Sequence, residues 1–356
     1  MADLELHRRF PGTRDLPHLP LAKLPTPVER VSSLEEKVGL RQLWVKRDDL
    51  SGARYGGNKV RKLEFLLAHA VAEGRDSVWT VGAVGSHHVL ATALYCREVG
   101  LEPHALHFPQ PITDHVREVL RALTTTRPTL QLVDSKHALP IHLARQHIRD
   151  WLAGAESPYY IPGGGSSPRG VLGYVNAALE LARQIDNGEL PAPEAIFVAA
   201  GTCGTLAGLV LGCRLAELPT RVVGVRVVDK ILANPVVAAK LANDAAVLLE
   251  GYGVACPRIS PLEIEIIDDQ IGSGYGEPTP AGQRAMDLFD SHVDLELDPT
   301  YTAKAFAGLI DQCSANRSPL HNVLYWHTLS SADLSDLIAK AQVDQDLPAL
   351  YKQFFQ

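Results

Sequence analysis

The run Tyr55-Gly56-Gly57-Asn58-Lys59-Val60-Arg61-Lys62-Leu63-Glu64-Phe65 sets a lysine behind two glycines at the start of a helical pattern. Two further cations follow within one turn. A protonated amine is a poor nucleophile, and cationic neighbours or desolvation lower its pKa towards neutrality. A lysine tuned in this way can capture an aldehyde as a Schiff base. The same residues also read as a glycine turn before an amphipathic helix with a solvated Lys-Arg-Lys face. The rest of the chain must supply the context that separates these readings.

A second candidate is the strand-turn-helix pattern Val198-Ala199-Ala200-Gly201-Thr202-Cys203-Gly204-Thr205-Leu206-Ala207-Gly208. Free N–H groups at a helix start, aided by the helix dipole, can cradle a phosphate, and Thr202 and Thr205 can add O–H donors. The Gly-Lys-Ser/Thr ending of a P-loop and the G-x-G-x-x-G fingerprint are both absent. A tight turn without ligand fits the pattern equally well. A third stretch, Gly82-Ala83-Val84-Gly85-Ser86-His87-His88, also follows a strand and opens a helix. There a backbone N–H cluster favours a carboxylate, with Ser86 as either a reacting hydroxyl or a plain N-cap. Gly163-Gly164-Gly165-Ser166-Ser167 and Gly272-Ser273-Gly274-Tyr275-Gly276 are further glycine loops.

The elements around these loops alternate. Strands are predicted at Leu43–Lys46, Ser77–Val81, Leu132–Val133, Tyr159–Ile161, Ala195–Ala200, Arg221–Val228 and Asn322–His327. Helices are predicted at Lys59–Ala72, Ser86–Val99, Gly170–Ile185 and Thr205–Leu218, from apolar residues recurring every three to four positions. Short apolar strands alternating with helices imply βαβ units, hence an α/β protein with mainly parallel sheets flanked by helices. Residues 1–35 are proline-rich and read as an ordered wrapping segment.

With 356 residues the chain has room for about two domains. A net charge of −7 without a basic stripe argues against nucleic-acid binding. No apolar run is long enough to span a membrane, and the N-terminus lacks a signal-peptide pattern, so the expected compartment is the cytoplasm. Five scattered cysteines without C-x-x-C spacing fit reduced thiols better than disulfides or zinc, and no metal site is expected.

In order, Tyr-Gly-Gly-Asn-Lys, Gly-x-x-x-Ser, Pro-x-Gly-Gly-Ser-Ser-Pro, Gly-Thr-x-Gly-Thr, Gly-Tyr-Gly and Asp-Pro-x-Tyr-Thr resemble the D-cysteine desulfhydrase and 1-aminocyclopropane-1-carboxylate (ACC) deaminase family. These are pyridoxal 5'-phosphate enzymes of fold type II, the tryptophan synthase β-like fold. The resemblance runs from Leu24-Pro25-Thr26-Pro27 to Tyr325-Trp326-His327-Thr328. It implies a large cofactor domain (1–71 plus 173–356), a small domain (72–172), a site in the cleft between them, and a homodimer. It also implies that Lys59 carries the cofactor as a Schiff base. Asn58, Lys62, His87, Gly201, Thr202, Cys203, Gly204, Thr205 and Thr302 would hold the cofactor. Lys59, Ser86, Tyr275 and Tyr301 would serve catalysis, and Ser86, His87, His88, Gly165 and Tyr275 would meet a small amino-acid substrate.

Within the resemblance, position 302 bears on the reaction. ACC deaminases carry a carboxylate there and desulfhydrase-like members a threonine, as here, which favours β-elimination over ring opening. Three departures stand against the pattern. Gly85 replaces a glutamine, which removes a carboxylate contact and is expected to open space. His87 replaces an asparagine and can titrate near neutral pH. Leu329-Ser330 replaces a glycine pair. The implied activity is α,β-elimination from a small β-substituted amino acid, giving a 2-oxo acid and ammonia. ACC deaminase, racemase and β-replacement synthase are the alternatives on the same fold, with a non-catalytic cofactor-binding protein beyond them.

Overall fold

The structure, a computed structural model, describes residues 4–154, 156–314, 320–341 and 347–355. Its strands are β1 (Val28–Arg30), β2 (Gln42–Arg47), β3 (Ser77–Ala83), β4 (Glu102–Phe108), β5 (Thr129–Leu132), β6 (Tyr159–Ile161), β7 (Ala195–Ala200), β8 (Arg221–Arg226), β9 (Glu265–Ile267) and β10 (Asn322–His327). The main helices are α1 (Glu5–Arg9), α2 (Ser32–Val38), α3 (Asn58–Ala72), α4 (His87–Glu98), α5 (Asp114–Thr124), α6 (Leu139–Leu152), α7 (Pro168–Asp186), α8 (Gly204–Leu215), α9 (Pro235–Glu250), α10 (Pro280–His292) and α11 (Thr302–Ser314). Among the described residues, no helix is long and apolar enough to cross a membrane.

The chain divides into two compact units. The first comprises residues 1–65 and 166–332, the second 66–165 and 333–356. Unit 1 carries a six-stranded sheet in the order β1-β2-β10-β7-β8-β9, parallel except for the β1–β2 pair. Its inner strands are buried on both faces: one apolar cluster includes Ile196, Val198, Leu206 and Trp326, the other Phe197, Phe289, Phe306 and Tyr325. Unit 2 carries a parallel four-stranded sheet, β5-β4-β3-β6. The C-terminal residues, expected in the larger domain, belong to unit 2. There the Tyr351 hydroxyl donates to the Gln131 carbonyl (2.7 Å) and meets His107 Nδ1 (2.9 Å), while Arg117 Nε donates to the Phe354 carbonyl (3.0 Å).

In unit 1 a buried charge cluster fixes the start of α3. Arg61, fully buried, donates from Nε and Nη2 to Asp48 Oδ1 (3.0 and 2.7 Å) and from Nη1 to Glu180 Oε2 (3.0 Å). Lys46 Nζ donates to Glu180 Oε1 (2.6 Å), Gln184 Oε1 (2.5 Å) and the Thr26 carbonyl (2.7 Å). The Tyr174 hydroxyl and the Trp326 indole N–H both donate to Asp48 Oδ2 (2.6 and 2.8 Å). Two cations thus face two carboxylates, and the remaining lone pairs are filled, as a buried ion pair requires.

Burial alone would raise the Glu180 pKa, but Arg61 and Lys46 override it and hold the carboxyl down at about 2, against 4.5 ordinarily. The folded pKa is the lower one, so the stabilisation is complete above about pH 4.5 and disappears as pH falls through about 2. Glu180→Ala leaves Lys46 without a carboxylate and Arg61 with Asp48 alone. The expected cost is about 3–5 kcal/mol in urea unfolding at neutral pH. The deficit relative to the parent chain is expected to shrink when the unfolding is repeated down that acid window.

Candidate active site

Local backbone contacts force the glycines before Lys59. Gly57 has φ +80°, and a Cβ there would lie 2.7 Å from the Thr328 carbonyl oxygen. A Cβ on Gly56 would overlap the Asp49 carbonyl at 2.0 Å. The main chain can therefore lie against residues 328–330: the Asn58 N–H donates to the Thr328 carbonyl (3.2 Å), and the Gly56 N–H donates to Ser330 Oγ (2.9 Å). Ser330, one of the departures from the family's glycine pair, is thus a hydrogen-bond acceptor for the lysine-bearing turn.

Lys59 is the second residue of α3. Its Nζ donates to Asn58 Oδ1 (2.5 Å), and Asn58 Nδ2 donates to Thr205 Oγ1 (3.2 Å), so the lysine turn and the Gly201–Thr205 loop are joined by side chains. Lys59 is only partly exposed, and desolvation of its amine, partly offset by the negative charge of Asp298, lowers its pKa to about 8. The buried Lys62 amine is pushed well below its ordinary value by desolvation and by Lys59.

The Gly201–Thr205 loop opens α8 without a capping side chain, with Cys203 in the left-handed region at φ +62°. Ser166, which sequence reasoning passed over, organises the loop. Its Oγ meets Thr202 Oγ1 (2.6 Å) and accepts from the Gly204 N–H (3.2 Å). A Cβ on Gly204 would lie 2.4 Å from that Oγ and 3.1 Å from Lys62 Nζ. Main-chain donors, two threonine hydroxyls and a lysine amine therefore converge at the start of α8. Burial raises the Cys203 thiol to about 11, so it stays neutral beside them.

The Tyr275 and Tyr301 hydroxyls meet at 2.7 Å. Burial raises both phenols, so the pair is neutral at physiological pH and shares one proton along its hydrogen bond. Thr302 begins α11, and its hydroxyl donates to Asp298 Oδ2 (2.7 Å) while accepting from the Asp298 N–H (2.6 Å). Asp298 heads the Asp-Pro-x-Tyr-Thr motif but was given no role from the sequence. The signal was legible, since an aspartate just before a helix is a cap former.

The remaining candidates lie in unit 2. Ser86 is the N-cap of α4, accepting from the Val89 N–H at 3.4 Å. His87 Nε2 meets His115 Nε2 of α5 at 2.8 Å, so the two rings share one proton. His88, read as substrate-binding, turns into the interior instead. Its Nε2 lies 2.8 Å from Thr80 Oγ1, whose proton goes to the Ile161 carbonyl (2.9 Å), which fixes the proton of His88 on Nε2. Gly165, the other substrate-side candidate here, is buried with φ +65°. The expected space at Gly85 is filled: a Cβ would come within 2.8 Å of Val116 Cγ2 and 3.0 Å of Gln110 Nε2. Among the described residues no group of three or more histidine, cysteine, aspartate or glutamate side chains is placed to hold a metal.

The donor set of unit 1 fits a phosphate-bearing aldehyde. An uncapped helix start with an adjoining lysine suits a phosphate, and a lysine with a pKa near neutral suits the aldehyde. Residues 19–328 match the pyridoxal-phosphate dependent enzyme family. The chain belongs to that family. It is 36% identical over 317 residues to a D-cysteine desulfhydrase of Salmonella paratyphi B, covering 85% of this chain and 90% of the relative. The crystal structure of an ACC deaminase homologue superposes with a TM-score of 0.78 at 30% identity, covering 92% of this chain and 95% of that one. Diaminopropionate ammonia lyase from Escherichia coli shares the fold (TM-score 0.61, 14% identity, 96% and 91% covered). The α/β architecture with mixed sheets flanked by helices is thus fold type II, tryptophan synthase β-like.

In the cofactor-free chain, acetylation of Lys59 by acetic anhydride, followed by peptide mass spectrometry, is expected to reach half its limiting rate at about pH 8, against 10.5 for an ordinary lysine. Half-reaction near 10.5 would contradict the desolvated amine. The unfolded chain binds more protons between these values, so the cofactor-free chain gains stability as pH rises across that window.

Proposed function

We propose that this chain catalyses α,β-elimination from a small β-substituted amino acid with pyridoxal phosphate as cofactor, giving a 2-oxo acid and ammonia, in the manner of a D-cysteine desulfhydrase. The observation that carries the reading is the Lys59 amine, desolvated to a pKa of about 8 and joined through Asn58 to the Thr205 loop. The similarity to a desulfhydrase along 85% of the chain favours elimination among the reactions of the family.

Pyridoxal phosphate supplies an aldehyde that captures the substrate amine and a conjugated ring that spreads the charge left when the α-proton departs. Lys62 and the donors of Gly201–Thr205 hold the phosphate. Lys59 takes the proton from the substrate α-carbon, a task suited to an amine whose pKa lies close to the working pH. The neutral Tyr275–Tyr301 pair returns a proton to the departing β-substituent. Ser86 and His87 are taken as substrate-side groups, and the released enamine hydrolyses in water. A reducing compartment suits the five free thiols, and a homodimer in the cytoplasm belongs to the same reading.

Purified chain incubated with pyridoxal phosphate is expected to gain a near-visible absorbance band that D- or L-amino acids with a β-leaving group perturb, with 2-oxo acid released. Lys59→Ala is expected to lose the band and at least about 10³-fold in turnover, since a positioned general base alone contributes about 10²–10⁴-fold. Retention of both band and turnover in that variant would overturn the reading. Turnover of ACC without elimination from D-cysteine would move the assignment to the deaminase, the reading favoured by the structural likeness to the ACC deaminase homologue.

A further inference from the structure

The Tyr275 and Tyr301 hydroxyls meet at 2.7 Å, yet the two residues are held in very different ways. Tyr301 stands at the start of α11, where its N–H donates to Asp298 Oδ1 (2.7 Å) and its carbonyl accepts from the Ala305 N–H (3.0 Å). Tyr275 lies in residues 271–276, a stretch of turns and bends in which Gly272 and Gly276 take the left-handed region at φ +68° and +81°. Among the described residues this stretch makes few hydrogen bonds. Apart from the phenol contact, its main chain is tied once by the chain itself, through the Glu277 N–H to the Gly274 carbonyl (3.4 Å). Its remaining hydrogen bonds come from one side chain, Lys304.

Lys304, two residues beyond Thr302 on α11, is fully buried, and its Nζ donates to the Ile271 (2.9 Å) and Gly274 (3.4 Å) carbonyls. Among the described residues it bonds to no carboxylate. Lysines are seldom enclosed in this way without an acidic partner, because a polar terminus taken out of water must recover its hydrogen bonds. A methionine would fill the same volume without that cost. We propose that Lys304 is a positioning residue of the active site, its Nζ gathering the carbonyls of residues 271 and 274 so that the Tyr275 phenol meets Tyr301. The inference rests on the role proposed above for the two phenols.

Tyr301 and Lys304 are three residues apart across the first turn of α11, so they share one side of it. From that side the Tyr301 hydroxyl reaches Tyr275, and Lys304 Nζ reaches the carbonyls before it in the chain. One helix turn thus fixes both phenols, Tyr301 through its own main chain and Tyr275 through Lys304. A proton donor must stand at a fixed place to serve a departing group, and a misplacement of about 1 Å can cost about 10²-fold. The demand is greatest for a group that leaves as a basic anion, such as a thiolate. It is least for chloride, which leaves without a proton.

Lys304→Met keeps an apolar stem and removes the donor. In the full chain without added cofactor, nitration of Tyr275 by tetranitromethane, followed by peptide mass spectrometry, is expected to run about tenfold faster or more in this variant, because the segment loses two hydrogen bonds. In the chain loaded with pyridoxal phosphate, kcat for elimination from cysteine of the accepted configuration is expected to fall by about 10- to 100-fold. The fall with 3-chloroalanine is expected to be distinctly smaller. Unchanged nitration of Tyr275 in a variant that melts like the parent would overturn the proposal. Equal losses on the two substrates would also overturn it, reducing Lys304 to a support of the fold. Lys304→Ala answers the same questions if the methionine variant does not fold. The nitration is read without cofactor or turnover, so its failure is distinct from failure of the elimination reading, which Lys59→Ala decides.

Discussion

The site depends on the buried pairing of Arg61 with Asp48 and Glu180. Helix α3 begins with three cations in four residues, Lys59, Arg61 and Lys62, at the end where the helix dipole is itself positive. Left to local preference, such a start would repel itself and leave its lysines in solvent. Arg61 reverses this by bonding to two carboxylates from elsewhere in unit 1, Asp48 after β2 and Glu180 in α7. That pairing seats the first turn against the sheet and fixes the rotation of the helix. Lys59 and Lys62 are thereby committed to the donor-rich start of α8, Lys59 through Asn58 and Lys62 beside Gly204. Desolvation in that seat is what depresses the pKa of Lys59.

The lysine turn, the α8 loop and the tyrosine-bearing segments were legible because each is a strand-to-helix or loop-to-helix junction made of small residues. At such junctions composition is dictated by close backbone approach. β7 and β10 match their sequence-based limits for the same reason, since a strand buried on both faces must be a continuous apolar run. β4 was not legible. Its residues Glu102-Pro103-His104-Ala105-Leu106-His107-Phe108 contain a proline and two histidines, yet it is an inner strand of its sheet. Tertiary contacts make it one: seven residues pair in register with β3, and the fully buried His107 is kept neutral by desolvation, with a pKa of about 3, against the Tyr351 hydroxyl. The partner is 244 positions away, beyond the reach of local pattern.

Three residues at these junctions were given no role from the sequence: Ser166 and Asp298 stand in the quoted motifs, where only the Asp298 position before a helix signals a cap, and Gln110 acts on space, which leaves no spacing rule. Ser166 holds the α8 loop, Asp298 the α11 start, and Gln110 with Val116 takes the volume beside Gly85. The departures from the family pattern are answered in the same way, by a second residue. Ser330 accepts the Gly56 N–H that the glycine turn exposes, and His87 finds His115. A substitution judged alone looks like a loss of function, whereas its packed neighbourhood determines what replaces the lost group. Gly85 illustrates the point: the missing side chain leaves no hole, because an amide from another segment already lies 3.0 Å from where its Cβ would be.

The electrostatics of unit 1 also explain why the lysine proposed to react need not be the most buried one. Lys62 is almost fully enclosed, so desolvation is the main cause of its lowered pKa, with the Lys59 charge second. Lys59 keeps partial exposure and feels the negative charge of Asp298, which leaves its pKa at about 8, a value that suits the proton transfers proposed for it. An anion held at the start of α8 favours the protonated form of Lys62 and, more weakly, of Lys59. Binding a phosphate there therefore draws a proton onto Lys62. On the proposed reading it also restores the ammonium that a phosphate clamp needs. The division of labour proposed for the two lysines matches their surroundings: Lys62 Nζ adjoins the start of α8 at Gly204, whereas Lys59 Nζ bonds to Asn58.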